Sequence, residues 1–150
     1  MTCIDLIKQL DYKSNSERRG IIIGRLNELG VEYRKHEYAS GTNLIVDLGS
    51  GDKRIGISSH FDRVPEAPGA NDNGSAIAVC MDIIEKYRKK KRQDIGLRIF
   101  FFDEEESGLK GSTAYAREHG VKDLVGLINL ELVGNTAPMP QKWKQFGLTK

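Results

Sequence analysis

Residues 60–75 read H-F-D-R-V-P-E-A-P-G-A-N-D-N-G-S, and the rest of the chain is arranged around this stretch. It places His60 and Asp62 two residues apart, and it puts a third candidate ligand, Asp72, in a loop of Pro, Gly and Asn that leads into a helix. Imidazole and carboxylate groups are ligands that zinc prefers in catalytic sites. Taken alone, the stretch fits a metal-binding loop and an ordinary surface turn about equally well.

The segments that flank this stretch predict an α/β protein. Residues 54–59 (R-I-G-I-S-S) have the character of a strand that ends directly before His60, and residues 74–90 have the apolar spacing of an amphipathic helix. Residues 97–102 (L-R-I-F-F-F) have the continuous apolar character of a central strand buried on both faces. Residues 125–132 (V-G-L-I-N-L-E-L) predict another buried strand.

The N-terminal part predicts two helices followed by a β-hairpin. Helical spacing covers residues 2–10 and 16–29, and Ser16 is the expected N-cap of the second helix. Short β-rich runs on either side of a Ser-Gly pair predict a hairpin over residues 31–48. Because His36 lies in a charged, alternating strand, we expect it to be exposed and not to bind metal.

Acidic residues follow the predicted central strands. The acidic run Asp103 to Glu106 comes directly after one strand, and Glu131 lies near the end of another. In open α/β sheets ligands bind beyond the carboxyl ends of the strands. Carboxylates gathered there would repel one another, whereas a divalent cation would hold them ionised. We therefore predict a metal site that includes His60 and Asp72, although the acidic run alone is also typical of a solvated turn.

Composition limits the classes of partner. The formal net charge of +2 is too small to indicate a nucleic acid or an acidic lipid surface as partner. The sequence has no apolar run near the ~18 residues of a membrane span and no apolar core of a signal peptide at its start. Cys3 and Cys80 have the character of free thiols, which suits a reducing compartment. We therefore expect a cytoplasmic protein with neither nucleic acid nor membrane partners.

At these residues the chain resembles a known family, the M28 zinc aminopeptidases, whose fold is a mixed sheet between helices with a two-metal site. Four ordered motifs at family-like spacing are more specific than any one of them, and together they span roughly residues 40–135. The matching segments are S-S-H-F-D (58–62), P-G-A-N-D-N-G-S (68–75), F-F-D-E-E-E-S-G-L-K-G-S (101–112) and I-N-L-E-L-V-G (128–134).

The resemblance implies a three-layer α/β/α domain with a central mixed sheet, the zinc-exopeptidase (phosphorylase/hydrolase-like) fold, lacking the C-terminal strands. It places the strand of residues 125–132 beside that of residues 54–59, with residues 97–102 on the other side and the N-terminal hairpin at one edge. We expect a single metallopeptidase-like domain over residues 1–150. Residues 135–150 form its tail in this short or truncated form.

The resemblance also implies the ligands of one or two Zn²⁺ ions. His60 and Glu131 would bind the first ion, Asp72 would bridge both, and Glu106 would bind the second. The chain departs from the family in two respects: Glu131 stands where members usually have aspartate, and no histidine follows His119 to supply the last ligand. The second ion would then have only two protein ligands, fewer than zinc sites usually have.

The remaining site residues are implied in the same way. Glu105 would be the general base, and Asp62 would orient the imidazole of His60. A cis peptide bond between Asp72 and Asn73 would aim the bridging carboxylate. Two cations would polarise the scissile carbonyl and activate a bridging water, whose proton Glu105 would pass to the leaving amine.

These implications favour a metal-dependent peptidase that hydrolyses N-terminal peptide bonds of peptide substrates, as aminopeptidases do. The alternative is a non-catalytic remnant of the fold that acts as a binding or assembly module, because the last histidine ligand is absent. A zinc-dependent cyclase or amidase on the same fold is the third reading. It suits the chain poorly, because the single zinc of the glutaminyl cyclases uses equivalents of Asp72, Glu106 and that histidine.

The same resemblance bears on assembly. In longer family members the strand that matches residues 125–132 is interior, and further strands lie beyond it. In this chain the strand would lie at a sheet edge with unpaired N–H and C=O groups. We therefore expect a homo-oligomer formed through the 125–132 edge, or through residues 135–150 folded over it.

Overall fold

The computed structural model describes residues 1–90 and 95–134, and within them the chain forms four α-helices and five β-strands. The helices are α1 (Cys3–Leu10), α2 (Asn15–Glu28), α3 (Ser75–Tyr87) and α4 (Lys110–His119). The strands are β1 (Arg34–Glu37), β2 (Thr42–Leu48), β3 (Lys53–His60), β4 (Ile95–Phe102) and β5 (Leu124–Asn129). None of these helices is both long enough and apolar enough to cross a membrane. The predicted tail, residues 135–150, lies outside the described residues.

The strands form one mixed sheet in the order β1-β2-β4-β3-β5. The hairpin of β1 and β2 is antiparallel and lies at one edge, and β2 continues antiparallel to β4. The central pair β3 and β4 is parallel, and β5 is parallel to β3 on its other side. This order confirms the predicted mixed sheet and the predicted neighbours of each central strand.

Helices cover both faces of the sheet because its buried side chains alternate between two cores. Leu44 and Val46 of β2 pack with residues of α1, α2 and α3 on one face. Between them, Ile45 points to the opposite face and packs there with Phe100 of β4 and Tyr115 of α4. The result is the predicted three-layer α/β/α arrangement.

The N-cap of α2 is Ser14, so the prediction of Ser16 was wrong. The Ser14 hydroxyl accepts the Glu17 N–H at 3.3 Å, and the Glu17 carboxylate accepts the Ser14 N–H at 2.9 Å. These bonds form a capping box, which requires a Ser and a Glu three positions apart. Backbone and side-chain hydrogen bonds from Ser14 lower the pKa of Glu17 to about 2.

His36 is buried, not exposed as predicted. It lies opposite Asn43 in the register of the hairpin, and its ring packs against those of Tyr115 and His119 on α4. A strand at the sheet edge can still be covered by a helix on one face. Alternation within the strand could not show this, because the covering helix lies far along the chain.

Strand β5 is half-buried at Leu124 and exposed from Val125 to Asn129, whereas the sequence predicted a buried strand. Within the described residues it pairs with β3 alone, so its far side has no neighbour. The strand also ends at Asn129, two residues before Glu131. Glu131 therefore lies in the segment after the strand.

Candidate metal centre

The central strands deliver the candidate ligands to one rim of the sheet. Strands β3 and β4 pair in register up to their last residues, His60 and Phe102. One further backbone bond, from Phe61 N–H to the Phe102 carbonyl at 2.9 Å, continues the ladder. The side chain of His60 and the acidic run that follows Phe102 consequently start from the same edge.

Three carboxylates converge on the Nε2 atom of His60. Asp72 Oδ1 lies 3.1 Å away, Glu131 Oε1 lies 3.3 Å away, and Glu105 Oε2 lies 3.9 Å away. Single ligand atoms of His60, Asp72 and Glu106 also lie within 4.8 Å of one another. The structure thus brings together the four residues that the sequence suggested as metal ligands, with Glu105 beside them.

Asp62 contacts both His60 and the turn that carries Glu105 and Glu106. The Nδ1 atom of His60 lies 3.1 Å from the Asp62 carbonyl oxygen and 3.3 Å from its carboxylate, so it is placed to donate its proton there. In the neutral imidazole this arrangement would leave the Nε2 lone pair facing the carboxylates, as a metal ligand requires. The Asp62 carboxylate also accepts the backbone N–H groups of Glu105 and Glu106, both at 3.0 Å.

This second role of Asp62 was not apparent in the sequence. Burial would raise the pKa of Asp62, but hydrogen bonds from His60, Glu105 and Glu106 hold it below the usual range. The carboxylate therefore stays charged and fixes the turn that carries the two glutamates. The contact joins distant parts of the chain, and no local spacing indicates it.

Asp72 lies in a distorted turn, Ala70–Gly74, that precedes α3. The peptide bond between Asp72 and Asn73 is cis, as the resemblance implies. Within the described residues Asp72 Oδ1 is buried and has no hydrogen-bond partner, although it approaches His60. Buried polar atoms are nearly always paired, so an orphaned carboxylate oxygen among imidazole and carboxylate groups fits a Zn²⁺ ion.

The electrostatics of the site agree with that fit. Burial lowers the pKa of His60, but hydrogen bonds to Asp62 and Glu131 outweigh it and raise the pKa to about 10. Burial is also the largest cause of the raised pKa of Glu105 and of Glu106, and neighbouring carboxylates add to it. A cation bound at Nε2 would take the place of the imidazole proton and favour the ionised carboxylates.

A second group of potential ligands lies at the C-terminal end of α4: His36, Glu118 and His119. The Asn43 amide donates to His36 Nδ1 at 2.9 Å and to the Gly111 carbonyl at 2.9 Å, while its oxygen accepts the Asp103 N–H. This arrangement places the His36 proton on Nε2, where it is donated to Glu118 at 2.9 Å. Because Nε2 then has no free lone pair, this group does not suit a metal ion.

The same Asn43 side chain closes the loop that carries the acidic run. It bonds to the backbone at Asp103 and at Gly111, the two ends of that loop. A Cβ atom at Gly111 would lie 2.3 Å from the Asp103 carbonyl oxygen and 2.4 Å from the Asn43 side chain. Only glycine fits this close approach, a signal that the sequence alone did not reveal.

The chain matches Peptidase family M28 over residues 43–147. It is 36% identical to Aminopeptidase YwaD of Bacillus subtilis over 83 residues, which are 53% of this chain and 18% of that protein. It is also 36% identical to a vacuolar membrane protease of Lodderomyces elongisporus over 101 residues, which are 65% of this chain and 10% of that protein. The chain thus spans only a small part of these curated relatives.

Solved structures agree with the family match. A zinc aminopeptidase from Bacillus subtilis, BSAP, matches 62% of this chain and 24% of its own, with a TM-score of 0.56 and 30% identity. The glutaminyl cyclase of Porphyromonas gingivalis matches 88% of this chain and 58% of its own with a TM-score of 0.73. At 21% identity the second likeness shows the fold alone. The family match covers more than half of the sequence, and the chain therefore belongs to peptidase family M28.

Proposed function

We propose that this chain forms the zinc-binding part of an aminopeptidase-type hydrolase that cleaves N-terminal peptide bonds, with Glu105 as general base. The observation that carries the proposal is the convergence of carboxylates on His60 Nε2, at 3.1 Å from Asp72 and 3.3 Å from Glu131. Support comes from the relatives named as aminopeptidases, which share the family but are much longer.

In this proposal His60, Asp72, Glu106 and Glu131 hold the metal. A Zn²⁺ ion bound there would polarise the scissile carbonyl group and lower the pKa of a water molecule. The orphaned Asp72 Oδ1 atom supports a bridging or terminal ligand at that position.

Glu105 is suited to accept and release a proton. Its carboxylate lies 3.9 Å from His60 Nε2, and its pKa is raised by burial and by nearby carboxylates. A raised pKa brings a carboxylate nearer to the operating pH, where general bases work best. Asp62 binds the Glu105 N–H and thereby fixes the backbone from which this side chain extends.

A second candidate is a non-catalytic module that keeps the fold and the metal ligands. The observation that favours it is that, among the described residues, the group of candidate ligands around Asp72 and Glu106 contains one histidine, His60. Such a module would bind zinc but would not hydrolyse peptides, so the two candidates differ in a measurable way.

The test combines zinc binding with hydrolysis of aminoacyl p-nitroanilides by the whole chain. We expect Glu105→Gln to bind zinc as the unmodified chain does. Its rate of hydrolysis should be lower by a factor of about 10² to 10⁴. Glu104→Gln is the matched control, because the Glu104 carboxylate bonds to Ser40 and Lys110 and not to the site.

Each failure has a distinct meaning. Zinc binding without hydrolysis in the unmodified chain would favour the non-catalytic module. No zinc binding would contradict the metal centre, and full activity in Glu105→Gln would contradict the assignment of the base.

A further inference from the structure

Glu131 lies outside regular secondary structure, in the segment that follows β5. Strand β5 ends at Asn129, and the last bond of the ladder joins the Leu130 N–H to the Ser58 carbonyl at 2.8 Å. The next residues turn away from the strand, with Leu132 at a φ of 51°. Glu131 nevertheless reaches His60 Nε2 at 3.3 Å, so another part of the molecule must hold its backbone.

The side chain of Asn73 supplies that support. Its Nδ2 atom donates to the Leu130 carbonyl at 3.0 Å, and its Oδ1 atom accepts the Leu132 N–H at 3.4 Å. The two bonds flank Glu131 on both sides, as the backbone of a neighbouring strand would. Asn73 is completely buried, so its amide depends on these two bonds for its hydrogen-bond partners.

A second amide from the same turn extends this support. Asn71 Oδ1 accepts the Gly134 N–H at 2.9 Å. Asparagines on either side of Asp72 therefore bind the segment after β5. The turn Ala70–Gly74 thus provides a candidate metal ligand, Asp72. It also provides the two asparagine side chains that bind the segment containing Glu131.

We propose that Asn73 is a positioning residue for Glu131, which it holds in place for metal binding by bracketing residues 130–132. The proposal rests on the proposed function, in which Glu131 binds zinc. An asparagine is required at this position because the amide both donates and accepts. An aspartate would present oxygen to the Leu130 carbonyl and lose the shorter of the two bonds.

The molecule contains a matched control for this residue. Asn43 is also completely buried, and it also bonds to backbone groups at two points of one segment. Its segment is the loop of the acidic run, which carries Glu106. Loss of the Asn43 amide should therefore act on zinc binding through Glu106 and independently of Glu131.

The experiment measures zinc affinity by competition with a chromogenic chelator. The variants are Asn73→Ala, Asn43→Ala, Glu131→Ala and the two double variants with Glu131→Ala. We expect Asn73→Ala to weaken zinc binding by about 10 to 100-fold, as loss of groups that orient metal ligands does. In the Glu131→Ala background Asn73→Ala should have no further effect, whereas Asn43→Ala should still weaken binding.

Hydrogen exchange of the metal-free chain is a second readout. The Leu132 amide should exchange faster in Asn73→Ala than in the unmodified chain, and the amides of the acidic loop should not change. Circular dichroism checks that each variant folds. If Asn73→Ala is unfolded, Asn73→Ser, which can keep one of the two bonds, takes its place in the same cycle.

The outcomes separate the two proposals. If Glu131→Ala binds zinc as the unmodified chain does, the proposed metal centre is wrong. If Glu131→Ala weakens binding but Asn73→Ala does not, or if the two losses multiply in the double variant, the positioning role of Asn73 is overturned and the metal centre stands.

Discussion

Arg18 is a charged side chain in the core that joins the N-terminal helices to the site. Its guanidinium donates to the carbonyl oxygens of Phe61 at 2.5 Å, Leu10 at 2.9 Å and Gly69 at 3.1 Å, and the side chain has no exposed area. Burial lowers its pKa to about 10, which leaves it charged at neutral pH. Phe61 directly follows His60, the last residue of β3. The bond from Arg18 to the Phe61 carbonyl therefore stabilises the end of this strand.

We expect Arg18→Met to destabilise the fold strongly. The Phe61 carbonyl would lose its partner, whereas the Leu10 and Gly69 carbonyls would keep the Lys13 and Gly74 N–H groups as donors. An unpaired buried carbonyl costs about 1 to 3 kcal/mol. The free energy of unfolding in urea should therefore fall by about 1 to 3 kcal/mol. Arg19→Met is the control: Arg19 is partly exposed and lies 3.8 Å from Asp103, so its loss should cost less than about 1 kcal/mol. Equal losses in the two variants would contradict this account of Arg18.

At the scale of elements, helix α2 depends on a local signal at its start. The capping box of Ser14 and Glu17 satisfies N–H groups that the first turn cannot pair internally. The start of this helix matters beyond the helix itself, because Arg18 lies in its first turns. A shift of the helix would displace the guanidinium from the carbonyl groups that it binds.

Replacing the two nearby serines distinguishes the observed cap from the predicted one. Ser14→Ala should lower the free energy of unfolding by about 1 kcal/mol, because an N-cap hydroxyl is lost. Ser16→Ala should change it by less than about 0.5 kcal/mol, because Ser16 is exposed inside the helix and alanine favours helices. Urea unfolding of both variants measures the difference, and a larger loss for Ser16→Ala would contradict Ser14 as the N-cap.

At the scale of the whole molecule, the edge of the sheet at β5 is apolar and exposed among the described residues. Val125, Leu127 and Ile128 are between 54% and 56% exposed, and among the described residues β5 has a partner on one side only. An apolar edge strand with unpaired backbone groups is a template for pairing with another chain. Self-association through this edge stays a prediction. The cytoplasmic location of the protein also stays a prediction.

Sedimentation velocity over a range of micromolar concentrations tests this expectation. We expect the sedimentation coefficient to rise with concentration, and Leu127→Lys to abolish the rise because a charge at the edge opposes pairing. Val121→Lys is the control, since Val121 is also exposed but precedes the strand. A monomer whose β5 amides exchange freely would contradict the prediction.

The sequence by itself determined the elements and the identity of the candidate ligands. Apolar periodicity is local, so it indicated the central strands and α3, and the motifs around His60 and the acidic run indicated the family and its fold. The ligands could be recognised because they directly follow strands or open a helix, and strand order then brings their ends to one rim.

Only the tertiary structure decided how those ligands are held. The bonds of Asp62 to the acidic run, of Asn73 around Glu131 and of Asn43 across its loop join residues far apart in the chain. The burial of His36 and the exposure of β5 likewise depend on which element lies beside each strand. Periodicity indicates which face of an element is apolar, but it does not indicate what covers that face. The contacts of the asparagine side chains leave no pattern in the sequence, because each depends on the packing of the whole domain.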